Sequence, residues 1–468
     1  MRSKLQKFTE YASSLLPHET AYLLSVETFE DEDRRDILLK IDAYCKKLNG
    51  THDYDERIDK RKYSHLKNWM ESRLSAVDVD ERFEWMADLE KKIMTDSIQM
   101  SEEKQLLKEI KNYEAPGFYF IRLYELVKVY RHFLLIRMRY SDHQLVQDFL
   151  FNNETAYQKS IQINEKLHEA TYDIVQHYSG QSEESLQWEH WLKEVFYDDD
   201  LDGHLRYMAF IRLAFIKFNY QKFNELLEPL DYLDKQFSKG AYYSKRILSN
   251  YYNTRVMLHS KFGEYQKAMF YGYLSIRNKT HDYILYVNNL CAVLLRLKKN
   301  EDALELMKLA SGEMKTTKNF HNRIGFVSFY VEALNKNKLY KNAENYAETY
   351  LKAFEKEILQ YRWHLFFSVF FEALLYRNQY GKIFRLERKY KLLERDKSYQ
   401  SKANYLPTIP WYIEIAKYIS GQNNNKQLLA YFDNELKTIR ESANPSRLEN
   451  LISNVKEVLP SELAGLKL

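Results

Sequence analysis

The sequence predicts an all-α protein, an array of helical hairpins forming a solenoid and preceded by an N-terminal helical region. Three observations carry that prediction. Only 12 Gly and 7 Pro punctuate 468 residues, too few for the many tight turns of a sheet-rich chain. Apolar residues recur at i, i+3 and i+4 through the first 115 positions, the spacing of half-buried helices. Beyond residue 200 a short pattern returns every 35 to 45 residues, the length of a helix–turn–helix unit.

Residues 1–115 form an acidic N-terminal helical region. A first amphipathic helix is expected from about Lys4 to Leu16, ended by Pro17, because proline lacks a donor and clashes with the preceding turn. A second follows the turn from Thr51 to Asp59 and carries Leu66, Trp69, Met70 and Leu74 on one face. A third aligns Phe83, Met86, Leu89 and Ile93. Ala115-Pro116-Gly117 is the clearest breaker of the first half, and a domain boundary is placed there, since Pro stops a helix and Gly permits a reversal. A long helical hairpin then occupies residues 118–200. Its arms are Phe118–Tyr140 and Leu145–Tyr178, and the polar stretch Ser179–Ser185 closes it.

Residues 201–440 form the repeat array. A tyrosine stands three places before a small or apolar residue that opens a second helix: Tyr220/Phe223, Tyr265/Ala268, Tyr340/Ala343 and Tyr380/Ile383, with Asn300/Ala303 keeping the frame. Sixteen places before these five anchors stand Tyr207, Tyr252, Val287, Val327 and Phe367; nine places before stand Ala214, His259, Leu294, Leu334 and Leu374. Each first helix thus offers an apolar face to its second helix, and neighbouring hairpins cover what one leaves bare. Residues 441–468 end the chain as a C-terminal capping helix.

Residues 201 to about 395 resemble the tetratricopeptide repeat family. The best units are Tyr252–Ile276, containing Gly263-Glu264-Tyr265-Gln266-Lys267-Ala268, and Val287–Ala310, containing Leu290, Ala303 and Ala310. Val327–Tyr350 is similar around Tyr340 and Ala343, and a degenerate pair runs from Trp411 to Leu436. Two features depart from the family. The position twelve before each anchor, small in the family, reads Ile211, Val256, Cys291, Val331 and Phe371, and the period exceeds about 34 residues. Longer helices set farther apart are therefore expected. The resemblance implies a superhelix whose concave face binds a protein or peptide segment, and it implies no catalysis. In that frame the groove-facing positions include Asn250, Asn253, Lys261, Asn288, Arg296 and Lys336. Asn donates and accepts to an extended backbone, while Lys and Arg hold an acidic side chain or a terminal carboxylate. Met257 and Phe329 stand where the family's carboxylate clamp needs polar groups, so the match to that clamp is loose.

The net charge of +4 hides an asymmetry. Residues 1–200 hold 28 Lys+Arg against 39 Asp+Glu, and residues 201–468 hold 42 against 27. Such a dipole suits a polyanion, attraction between two regions of one chain, or self-association through the opposite-charge halves. The basic excess is diffuse, without an Arg-rich tail or a dense Lys block, which ranks an acidic protein or peptide partner above nucleic acid. The 39 Tyr and 26 Phe suit seams between packed helices, where a ring buries a large apolar body.

Chemistry has little raw material. No two glycines stand as G-x-G, and no G-x-S-x-G occurs, so nucleotide-binding loops and a serine-nucleophile elbow are excluded. Asp198-Asp199-Asp200-Leu201-Asp202-Gly203 matches the front half of a calcium loop, but position twelve is Ala209 instead of the bidentate Glu. An acidic helix-capping turn explains the same residues. Glu165 with His168 and His190 with Glu194 each put two ligands on one helix face, short of any complete metal set. Cys45 beside Lys46 and Lys47 lacks a positioned base. Cys45 and Cys291 are 246 positions apart, which fits a reducing, cytoplasmic setting without disulfides. The opening Met1-Arg2-Ser3-Lys4 does not read as an export leader, and the apolar stretch Leu365–Phe371 is too short to span a bilayer. The expectation is a non-catalytic interaction module or scaffold with no cofactor, metal or membrane span. Nucleic-acid association through the basic half is the alternative, followed by an enzyme whose site assembles only in three dimensions.

Overall fold

The computed structural model describes residues 5–47, 54–55, 57–113, 116–178, 184–400, 405–439 and 445–465. Positions 51–53 and 56 of the turn Thr51–Asp59, most of the stretch Ser179–Ser185, Ala115 and the first residues of the segment 441–468 lie outside the described residues. Among the described residues the secondary structure is helical, with no strand. The chain forms two compact units, Met1–Phe262 and Gly263–Leu468.

The first unit contains α1 (Gln6–Ser14), α2 (Pro17–Val26), α3 (Glu32–Cys45), α4 (Lys60–Val77), α5 (Val79–Met94) and α6 (Met100–Lys111). It continues with α7 (Phe120–Ile136), α8 (Tyr140–Tyr178), α9 (Glu189–Tyr197), α10 (Gly203–Asn219), α11 (Leu227–Ser238) and α12 (Lys245–Lys261). Pro17 opens α2 as well as following α1; the first turn of a helix leaves N–H groups unpaired anyway, so a missing one costs nothing there. The Leu16 N–H instead donates to Glu19 Oε2 at 2.6 Å. Leu66, Met70 and Leu74 are buried on α4 as expected, joined by Tyr63, while Trp69 is half-buried against Phe29. On α5 the buried stripe is Val79, Met86, Leu89 and Ile93. Phe83 departs from the expected face: it is exposed, with its ring against Tyr119.

Helices α7 and α8 pack against each other as a long hairpin, turned at Met138 with φ 57°. Their facing sides share a core with α5 and α6 that includes Met86, Leu106, Val127, Tyr130 and Val146. The Pro116-Gly117 breaker lies inside this unit. There the Gly203 N–H donates to Gly117 O and the His204 N–H to Phe118 O. A Cβ on Gly203 would meet the Phe118 ring at 2.6 Å, so glycine permits the close approach.

Acidic and basic regions of the sequence touch within this unit. Arg246 of α12 grips Asp80 of α5 with two bonds of 2.6 and 3.0 Å. His18 bonds Asp234 at 2.8 Å and Tyr252 at 2.7 Å, and Tyr251 donates to Asp234 at 2.7 Å. This partly buried knot fastens α2 to α11 and α12.

The second unit contains α13 (Tyr265–Ser275), α14 (Tyr283–Arg296), α15 (Asn300–Leu309), α16 (Ser311–Thr316), α17 (Phe320–Lys336) and α18 (Tyr340–Ala353). After them come α19 (Glu355–Tyr361), α20 (Trp363–Tyr376), α21 (Tyr380–Tyr390), α22 (Leu392–Tyr399), α23 (Thr408–Ile419), α24 (Asn425–Ile439) and α25 (Pro445–Val458). Helices α14, α17, α20 and α23 pack on one another in succession. Helix α15 packs on α14 and α17, α18 on α17 and α20, and α21 on α20 and α23. The result is a repeat-like arrangement in which each helix touches its neighbours.

The register read from the sequence places the buried side chains. All five residues sixteen before the anchors and all five residues nine before them are buried, as are the anchors Ala268, Ala303, Ala343 and Ile383. Phe223 is only half-buried, and its hairpin differs: Tyr220 caps α10, and a short 3-10 turn, Phe223–Leu226, precedes α11. The long period also has a different cause from the one expected. Between the anchors at 303 and 343 the extra residues go mainly into α16, and between 343 and 383 into α19, not into longer paired helices.

One local device recurs at the hairpin turns. Lys298, Lys338 and Asn378 adopt φ of 58°, 60° and 56°, each five places before its anchor, and Gly263 holds the same place with φ 75°. In the three non-glycine turns the next N–H reaches back to the carbonyl five residues earlier: Lys299 to Leu294, Leu339 to Leu334 and Gln379 to Leu374, at 2.8–2.9 Å. That closure satisfies helix-end carbonyls that would otherwise lack partners. A left-handed conformation costs a non-glycine residue roughly 1–2 kcal/mol. Lys298→Gly and Lys338→Gly are therefore expected each to stabilise the protein by about 0.5–1 kcal/mol, after allowing for glycine's greater freedom in the unfolded chain. Thermal denaturation checks this; a lowered midpoint in both variants would show that the lysine side chains contribute more than the turn strain.

Candidate functional site

The six groove positions expected from the sequence divide between the two units. On α12, Asn253 is buried, Asn250 is half-buried and accepts from the Tyr207 hydroxyl at 2.9 Å, and Lys261 is exposed with its ammonium 5.3 Å from the Phe223 ring centre. On α14, Asn288 is buried and its amide donates to Asn322 O of α17 at 2.9 Å. Arg296 is exposed at the end of α14, its guanidinium 5.7 Å from the Tyr265 ring centre. Lys336 is half-buried at the end of α17, where it donates to Glu372 at 2.9 Å and to Asn454 of α25 at 3.1 Å. Asn288 thus acts within the helix stack, as does Asn335, which donates to Val369 O of α20 at 2.8 Å. Each of these side chains bonds the backbone of the next first helix.

In the second unit the polar first-helix face consists of Arg296, Glu332, Lys336, Glu372 and Tyr376 on α14, α17 and α20. Burial is the largest influence on the Glu332 carboxyl and pushes its pKa up, and neighbouring Glu372 adds to this; Lys336, Arg296 and Arg447 act in the opposite direction. For Lys336, burial works against the charge, yet Glu372 and its hydrogen bond prevail and raise the pKa. The Tyr340 and Tyr376 rings stack with centres 4.4 Å apart and planes 9° from parallel, beside this charge cluster. The face can therefore present paired charges and aromatic edges to a ligand.

Sequence reading found Arg296 and Lys336 but passed over Glu332, Glu372 and Tyr376. A register signal for all three is present. Arg296, Lys336 and Tyr376 each stand seven places before an anchor, and Glu332 and Glu372 stand eleven places before theirs. A search for polar residues returning at one repeat position would have found this row.

Asp202 caps α10 by accepting from the Leu205 N–H at 2.7 Å, Asp198 accepts from the Asp200 N–H and from Lys159, and Asp199 pairs with Arg206. Burial pushes the Asp202 carboxyl up to about 6 despite those backbone bonds. Glu165 and His168 are exposed on α8, and His190 lies 3.4 Å from Glu194 on the exposed side of α9. Cys45 is buried with its thiol toward Leu15 O, and Cys291 is buried within the α14 seam, where desolvation raises its pKa. Among the described residues no group of three or more His, Cys, Asp or Glu is placed to hold a metal ion, and no helix is long and apolar enough to cross a membrane. Compared with models of protein families, with curated proteins and with solved structures, the chain matches none.

Proposed function

We propose that this chain is a non-catalytic cytoplasmic interaction module, a tetratricopeptide-like solenoid that captures a protein or peptide segment on its first-helix face and uses no cofactor. The observation that carries this reading is the polar row at one repeat register, Arg296, Lys336 and Tyr376 with Glu332 and Glu372 beside it. Side chains returning at each hairpin give an extended or helical partner the same chemistry at regular steps. Lys261 continues the register by sequence.

Many cations of the basic region are already engaged inside the second unit. Lys382 pairs with Glu344 and Glu348, Lys389 with Glu355, Lys279 with Glu313 and Arg377 with Glu344. Spent charges favour a protein partner over a nucleic acid, which draws its affinity from many released counterions.

Affinity purification from the native cell after nuclease treatment tests the reading. A protein partner is expected to remain bound, and Lys261→Glu with Arg296→Glu is expected to lower its capture about tenfold or more, while helicity and melting stay unchanged because both side chains are exposed. Capture that disappears with nuclease would assign the basic half to nucleic acid, and capture that ignores both reversals would move the site elsewhere.

A further inference from the structure

Helices α19, α21 and α22 of the second unit enclose a pocket of about 450 Å³. Leu359 and Tyr390 form its apolar wall, and the charged residues Glu355, Lys389, Lys391, Glu394 and Arg395 line the rest. None of these belongs to the polar row on the first helices. The chain reverses at the pocket through Lys391, which ends α21 and opens α22 with φ 50°. The Arg395 N–H then bonds Lys391 O at 3.0 Å, so the two cations stand one turn apart on the same side of α22.

The charges differ in how far they are already engaged. Glu355 Oε2 accepts from Lys389 at 2.8 Å and from the Tyr390 hydroxyl at 2.9 Å, so that carboxylate and that ammonium answer each other. Lys391 and Glu394 make a looser pair, 3.6 Å apart with both side chains largely exposed. Arg395 has no carboxylate: its Nε donates to Tyr390 O at 3.1 Å, and among the described residues no acidic group pairs with its guanidinium. The bond at Nε orients the guanidinium and leaves the two terminal nitrogens, the edge that grips a planar carboxylate with parallel hydrogen bonds.

We propose that this pocket is a further binding site, a seat for one carboxylate of an acidic peptide, gripped by Arg395 with Lys391 as the second cation. Charge sets the valence of the occupant. Lys389, Lys391 and Arg395 face Glu355 and Glu394, one positive charge in excess; a carboxylate cancels it, and a phosphate dianion would overshoot. A nucleic acid draws its affinity from a run of unspent cations, which a single excess charge does not supply. Size sets the bulk of the occupant. Ligand sites span roughly 300–1,000 Å³, so the pocket admits an acidic side chain or a chain end, with Leu359 and Tyr390 against its aliphatic part. Glu394 competes with such a ligand for Lys391, so removing its charge should strengthen binding. An exposed ion pair that served only the fold would show no such gain.

The test is isothermal titration calorimetry of the full-length chain with three acetylated tetrapeptides. Tetraglutamate amide carries side-chain carboxylates only, tetraglutamine acid carries only a terminal one, and tetraglutamine amide carries none. At least one of the first two is expected to bind, and which one binds identifies the source of the carboxylate; tetraglutamine amide is expected not to bind. Arg395→Gln should weaken binding about fivefold or more and Lys391→Gln about twofold to threefold, while Glu394→Gln should strengthen it about twofold to threefold. Arg385→Gln and Lys397→Gln remove cations of the same two helices outside the pocket and should change binding by less than about twofold. All five side chains are exposed, so circular dichroism should stay unchanged; if Arg395→Gln loses helicity, the opposite signs at Lys391 and Glu394 decide. Binding by neither acid, or equal binding of tetraglutamine amide, overturns the proposal. Equal losses in Arg395→Gln, Arg385→Gln and Lys397→Gln also overturn it, assigning binding to the diffuse positive field. Tighter binding of inorganic phosphate than of either acid would reassign the pocket to a phosphoryl group and overturn it as well. Partner capture through Lys261 and Arg296 stands or falls separately, since the two faces share no residue.

Discussion

Phe370→Ala is expected to destabilise the protein by about 3–5 kcal/mol, the range for removing a fully buried aromatic side chain that leaves a cavity. Phe370 is completely buried on α20, its ring 5.9 Å from that of Phe366. The helix is apolar on nearly every side, with Phe366, Phe367, Phe370 and Phe371 all buried, because it packs on α17, α18, α19, α21 and α23. A hole there lies at the junction of several interfaces, so the surroundings cannot collapse from one side to fill it. Chemical denaturation measures the loss, and hydrogen exchange should show α17 and α23 losing protection with α20. Phe151→Ala provides the contrast: that side chain is 75% exposed, and its removal should change stability by no more than about 0.5 kcal/mol. A loss below about 1 kcal/mol at Phe370 would mean that α20 is not the centre of the stack.

Gly240→Val is expected to cost about 2–5 kcal/mol, from two independent sources. Gly240 has φ 79° and closes the end of α11, where the Ala241 N–H bonds Gln236 O at 3.0 Å. Any side chain there incurs roughly 1–2 kcal/mol of left-handed strain, more for a β-branched one. A Cβ would also stand 2.7 and 2.8 Å from two carbons of the buried Tyr22 ring, and overpacking of this kind costs about 1–3 kcal/mol. Gly263→Val separates the two, because Gly263 has φ 75° but nothing within 4 Å of its would-be Cβ. It should lose only the backbone share. Equal losses at the two glycines would show that Tyr22 yields without cost.

The candidate face was legible in part. Arg296 and Lys336 followed from the repeat frame, since a helix of 3.6 residues per turn returns the same position to the same face in each hairpin. Asn288 did not, because its small amide can turn inward to bond a backbone carbonyl as readily as outward. The turn residues were hidden for a related reason. Glycine advertises a left-handed helix end, but Lys298, Lys338 and Asn378 take that conformation without the usual residue type. The extra helices α16 and α19 were also hidden, since six or seven residues carry too few turns to set up a periodic pattern.

What the sequence by itself determined is the helical class, the register of the hairpins and the residues that fill their seams, because each depends on neighbours a few places away along one helix. What only the tertiary structure decided is which faces meet. Lys336 and Asn454 are 118 positions apart, and Tyr376 and Glu457 are 81 apart; no local spacing records such a pair. Amphipathic patterning requires that the apolar stripe of α25 be buried, but it does not name the surface that buries it. The partners that meet the polar edge of α25, Lys336 and Tyr376, come together only when α17 and α20 pack side by side.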